Sequence, residues 1–167
     1  MKSIIILIFS VLLISCQSKD KADTSFPISV STELIRSYES ADFDSTKRQA
    51  YDLKISINNT SDKPVTFWTM KCSVTDNFIL SKFNYHFRGT VCDSNFPVTT
   101  HLNPTESITY HTVILSGDNV NYLNENKLKV GFIYFDTVST KSHADFRNSM
   151  GDMSKWKIIW SPPVDIR

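Results

Sequence analysis

The residues of this 167-residue chain best suited to acid–base or metal chemistry are His86, His101, His111 and His143, together with Asp93 and Asp145. Such groups need not be neighbours in sequence to meet in a fold. A softer set, Met70, Cys72, His86 and Cys92, has the donors that suit copper(I), provided both thiols stay reduced. His101 and His111, however, flank a turn at polar-facing strand positions, where imidazoles are ordinarily solvated. Gly-x-Ser-x-Gly, His-Glu-x-x-His and Cys-x-x-Cys motifs do not occur. The four glycines, Gly89, Gly117, Gly131 and Gly151, are too widely spaced to cradle a phosphate or a dinucleotide. No catalytic residue, metal ligand or cofactor is therefore assigned. Tyr134, Phe135, Trp156 and Trp160 offer an aromatic platform for a sugar or peptide. The preferred reading makes Phe132, Tyr134, Trp156, Ile158 and Trp160 alternating core residues of neighbouring strands.

The chain opens with Met1-Lys2 and an apolar run over residues 4–14 broken only by Ser10, the pattern of a signal peptide and too short to cross a bilayer. It closes on Leu13-Ile14-Ser15-Cys16 and then turns abruptly polar. That tetrad resembles a bacterial lipobox, which implies cleavage before Cys16, lipidation of its thiol and a lipid-anchored life in the cell envelope. Residues 1–15 are then a signal peptide, 16–26 a lipidated tether and 27–167 the folded domain. With Cys16 used in this way, Cys72 and Cys92 remain, and an oxidising compartment favours a disulfide between them over two buried thiols. Lys+Arg number 18 against 17 Asp+Glu, and loss of Lys2 with the leader balances them. A nucleic-acid partner, which needs excess positive charge, is not expected.

What must position these groups is a set of strands. Tyr51, Leu53, Ile55 and Ile57 alternate with Asp52, Lys54, Ser56 and Asn58, as in a half-buried strand. Residues 58–64 are rich in turn formers, and Pro64 can open the next strand, in which Trp68, Met70, Cys72 and Val74 share a parity. Further strands are expected over residues 78–80, 85–88, 98–102, 107–115, 128–135 and 155–160, with a turn at Asn103-Pro104-Thr105-Glu106. Residues 41–47 and 142–150 are read as loops. The fold expected is an all-β, immunoglobulin-like antiparallel β-sandwich of seven to nine strands, whose tryptophan and cysteine resemble the core of that fold.

The stretches 67–73, 91–97, 102–107 and 159–162 together resemble a group of small, uncharacterised envelope lipoproteins with an immunoglobulin-like domain. Residues 59–65 and the Leu-x-Pro-x-Glu-Ser-like stretch at 102–107 resemble, more distantly, a bacterial proteinase-inhibitor sandwich. The expected function is a membrane-anchored, non-catalytic binding or accessory module with an envelope protein or glycan as partner. An inhibitor-like module and a metal-binding or hydrolytic envelope protein are the alternatives. The polar segment 138–154 is long for a sandwich connection and is the expected contact surface. Asp136-Thr137-Val138 resembles an O-glycosylation acceptor of exported bacterial proteins, with Thr137 as the acceptor. Asp44-Ser45-Thr46 is a poorer match, and the bacterial leader leaves the sequon-like Asn58-Asn59-Thr60 without an N-glycosylation role.

Overall fold

The computed structural model describes residues 26–41, 45–89, 92–117 and 126–166; the leader, Cys16 and the tether to residue 25 lie outside them. The strands are β1 (Ile28–Ala41), β2 (Lys47–Asn59), β3 (Val65–Met70), β4 (Phe78–Leu80), β5 (Tyr85–Phe87), β6 (Pro97–Leu102) and β7 (Ser107–Ser116). They continue with β8 (Lys127–Leu128), β9 (Val130–Tyr134), β10 (Lys157–Trp160) and β11 (Val164–Asp165), and an α-helix, α1 (His143–Met150), lies between β9 and β10. All pairings between these strands are antiparallel.

One layer has the order β1-β2-β7-β5. β2 shows the alternation expected of it: Leu53, Ile55 and Ile57 are fully buried while Asp52, Lys54, Ser56 and Asn58 are only partly so. Burying each such aliphatic side chain stabilises the fold by about 1.5–3 kcal/mol. β1 has no counterpart in the sequence-based strand assignments. Its register against β2 slips between Leu34 and Arg36, leaving Ile35 half exposed at a bulge.

The second layer is assembled from broken strands. Phe67 of β3 bridges Asp136 and the Trp68 N–H donates to the Phe135 carbonyl, while β4 pairs with β9, so β3 and β4 occupy successive lengths of one strand position beside β9. β6 flanks β3, and β10 flanks β9. β8 precedes β9 in line, and β11 follows β10 beyond Ser161-Pro162-Pro163, where the Ser161 hydroxyl accepts from the Val130 N–H in place of a strand carbonyl. The two layers reproduce the ABED and CFG order of an immunoglobulin constant-type sandwich, with β6 as the added strand.

The core between the layers joins Leu53, Ile55, Ile57 and Ile114 to Phe67, Leu128, Val130 and Phe132. Phe67, Phe78, Phe132 and Tyr134 form a chain of ring contacts with centroids 5.4 to 6.0 Å apart. The chain enters beside the turns that close β2 and β6: the Thr60 N–H donates to the Pro27 carbonyl, and the Asn59 N–H to Glu106. β8 and β11 lie at the opposite end of the sandwich.

Candidate ligand-binding surface

Along residues 128–135 the side chains alternate between two apolar environments. Leu128, Val130, Phe132 and Tyr134 enter the core between the layers, whereas Ile133 and Phe135 join a second cluster on the outer face of the same layer. A strand buried on both faces carries an uninterrupted apolar run, and residues 130–134 are all buried. Something must cover the outer face, and α1 does so. Its fully buried Phe146 packs edge-on against Phe135 at 5.4 Å and tilted against Trp68 at 5.9 Å. Ser142 caps the helix by accepting from the Asp145 N–H at 3.1 Å. Met150, one turn after Phe146, adds to the same cluster.

This revises the reading of residues 142–150 as a loop, and gives the expected contact segment 138–154 a structural role. Four polar or small residues, Ala144, Asp145, Arg147 and Asn148, face outward from α1, but the segment closes a core. Trp68 likewise sits outside the inter-layer core, its indole N–H donating to the Thr140 carbonyl at 2.7 Å. The expected immunoglobulin-type pairing of a core tryptophan with the disulfide does not occur.

The helix covers only the half of this face nearest the chain entry. Toward the other end lie Ile79 of β4, Gly131 of β9, and Ile158 and Trp160 of β10, followed by Lys129 and Lys127. Gly131 is the register partner of Trp160. A Cβ on Gly131 would stand 2.7 Å from the Ile158 Cγ2 and 3.0 Å from both the Ile79 Cγ1 and the Trp160 Cε3, so the benzo ring of Trp160 occupies the space a side chain would take. The remaining indole surface is open, with Trp160 41% exposed. The three tryptophans differ in their N–H groups: Trp68 donates to Thr140, Trp156 donates to the Ser149 and Met150 carbonyls, and Trp160 has no acceptor among the described residues. The placement of Trp160 in the core is thereby overturned. Ile159 is the inward residue of β10, and Tyr134 and Phe135 are buried and unavailable to a platform.

Cys72 and Cys92 form a disulfide with Cα atoms 6.0 Å apart. Cys72 is exposed beyond the end of β3, so its expected position on a buried strand face is revised as well. The bridge links the segment after β3 to that before β6. There Asn95 Oδ1 accepts from the Ser73 N–H at 3.2 Å, and Asn95 Nδ2 donates to Asp76 at 3.1 Å. Both thiols of the copper(I) set are consumed in this bond, leaving the Met70 thioether and His86. The histidines occupy four elements and are all exposed; His101 Nδ1 is 3.0 Å from the Thr66 hydroxyl, and the His143 ring stands edge-on to Trp68 at 5.2 Å. Among the described residues, no three of His, Cys, Asp and Glu come together as a metal-holding group.

Thr137 sits in the turn after β9, half-buried, its hydroxyl donating to the Thr66 carbonyl at 3.5 Å. The carboxylate of Asp136 turns back into that turn, accepting from the N–H groups of Val138 and Ser139 at 3.0 and 2.7 Å. Partial burial favours its neutral form, but the Ser139 backbone and hydroxyl bonds, the Lys157 charge and the Val138 bond outweigh it and hold the Asp136 pKa below the usual carboxylate value. Burial, reinforced by Asp136, pushes the Tyr134 phenol up to about 12.

No family model and no curated protein matches the chain. Among solved structures it is similar to a FixG-related protein from Vibrio parahaemolyticus, at 11% identity and a TM-score of 0.38, over 84% of this chain and 96% of that one.

Proposed function

We propose that this protein is a lipid-anchored bacterial envelope lipoprotein whose sandwich acts as a non-catalytic binding module. The observation that carries the reading is Leu13-Ile14-Ser15-Cys16 at the end of an apolar leader. The Cys72–Cys92 disulfide supports it by accounting for the other two cysteines, leaving Cys16 as the odd thiol, and by fitting an oxidising compartment. An acyl chain contributes about 0.8 kcal/mol per buried methylene, so two or three chains make anchoring effectively permanent. The binding role is supported by the contrast among the tryptophans, since an indole held in place with no acceptor for its N–H among the described residues is equipped to receive a ligand.

The anchoring reading is tested by fractionating Cys16→Ala cells and weighing the protein. Wild type is expected in the membrane pellet after carbonate washing, with Cys16 as a lipid-bearing N-terminus. The variant is expected in the soluble fraction or as uncleaved precursor. A variant that stays membrane-bound at the wild-type mass contradicts the reading.

A further inference from the structure

We infer that the uncovered half of the second layer's outer face binds an acidic oligosaccharide, with Trp160 as the platform for a sugar ring and Lys129, backed by Lys127, as the partner of its anionic substituents. Three independent features converge on this. First, Trp160 is pre-positioned. Its benzo ring is seated over Gly131 beside Ile79 and Ile158, while 41% of the residue stays open and its N–H has no acceptor among the described residues. A flat, rigid indole with a free donor suits the C–H face and hydroxyl edge of a pyranose ring and loses little side-chain freedom on binding.

Second, the positive charge beside it is unspent. Lys155 and Lys157 reach Asp152 and Asp136 at 3.4 and 3.5 Å, whereas Lys127 and Lys129 are exposed and form no ion pair among the described residues. Leu128 and Val130 point into the core, so Lys127, Lys129 and Gly131 share the outer face at intervals of about 6.6 Å. A ring on Trp160, opposite Gly131, puts an acidic substituent near Lys129 and that of a neighbouring ring near Lys127. Asp165 is the register partner of Lys127, which makes Lys129 the stronger anchor.

Third, the geometry selects the occupant. The lysines share their face with a flat indole, which suits a pyranose ring better than a glycerol headgroup. Pro162 and Pro163 interrupt the neighbouring edge strand and deny an added peptide strand its ladder of N–H groups. A soluble or surface polyanion with stacking rings fits better than a lipid headgroup or an extended peptide.

This inference rests on the binding-module reading but not on the lipid, so fractionation of Cys16→Ala and glycan titration fail independently. The test titrates the full-length purified protein with a panel of uronic-acid and sulfated oligosaccharides, with uncharged maltohexaose and poly-glutamate as comparisons. Vesicles of phosphatidylglycerol are tested in parallel. Binding of at least one acidic glycan is expected, with a change in tryptophan fluorescence and weakening by salt. Trp160→Ala should weaken it about tenfold or more. The Lys127→Gln/Lys129→Gln double variant alters only exposed side chains and should weaken it about three- to fivefold with the fold unchanged.

Failure of the whole panel overturns the proposal, as does equal binding of maltohexaose or poly-glutamate. Capture by vesicles alone also overturns it and assigns the lysines to a membrane. Undiminished glycan affinity in a folded Trp160→Ala or double-lysine variant places the site elsewhere.

Discussion

The outer faces of the two layers solve opposite problems. On the first layer, β1, β2 and β7 present a lattice of small polar contacts to water: Ser56 with Thr109 at 3.0 Å, Ser107 with Asn58 at 2.8 Å, Lys54 with Glu33 at 3.4 Å, and Arg36 with Asp52. On the second layer the corresponding face is apolar. A helix covers one half of it, and the other half is left with a single exposed tryptophan. The polar face requires nothing beyond solvent, whereas the apolar face obliges the chain to spend residues 138–156 on a cover. What that cover leaves open is the part of the surface free to act.

The largest effect of this contrast follows from removing the cover's anchor. Phe146→Ala should destabilise the protein by about 3–5 kcal/mol, as for other fully buried aromatic truncations, and lower Tm by about 10 °C. Urea unfolding monitored by circular dichroism measures it. A loss under about 1 kcal/mol would mean that α1 is decoration and the segment is a contact loop after all.

A smaller loss is expected where the open half begins. Gly131→Ala brings a methyl to 2.7 Å from Ile158 and 3.0 Å from Ile79 and Trp160. The neighbours must move, at a cost of about 1–3 kcal/mol, and Trp160 is lifted from its seat. The variant should therefore shift the tryptophan emission as well as the urea midpoint.

The first layer's outer face should be far more tolerant. Lys54→Ala and Glu33→Ala each break a solvated cross-strand pair and should cost about 0.2–1 kcal/mol, shrinking further in high salt. The smallest effect concerns acid. The Asp136 pKa is lower in the folded than in the unfolded chain, so its stabilisation is complete above the unfolded value of about 4 and is lost as pH falls through the folded one. Asp136→Asn should flatten the stability profile on the acid side of pH 4 while leaving its shape near neutrality unchanged.

The same contrast explains what the sequence disclosed. β2 and β7 were legible because one face of each meets water, so apolar and polar residues alternate. β1 was not, because the bulge at Ile35 reverses the phase after Ile28, Val30 and Leu34, and the remainder of the strand is polar. In β10 the run Trp156, Ile158, Trp160 suggested the inward parity, yet the lone Ile159 points inward; where both faces are apolar, alternation no longer distinguishes them. α1 was hidden because one phenylalanine and one methionine, four residues apart, make its whole buried face. Two signals pointed to it: the capping pattern Ser142-x-x-Asp145, and the uninterrupted run from Val130 to Phe135, which no solvated sheet face would carry. The Cys72–Cys92 pairing was accessible from cysteine arithmetic, but its position outside the core was not. Trp160 stood in the sequence as both a platform residue and a core residue; its seat over Gly131, a cross-strand relation that depends on register, decides against the core.

The most direct test of the division between covered and open halves is collisional quenching of tryptophan fluorescence by iodide and by caesium, in wild type and in Trp160→Phe. Trp160 is the exposed indole and stands on the face bearing Lys129 and Lys127, while Trp68 is buried beneath α1. Iodide is therefore expected to quench wild type more strongly than caesium does, and Trp160→Phe should lose most of that quenching. Equal quenching by the two ions, or iodide quenching that persists in Trp160→Phe, would contradict the account.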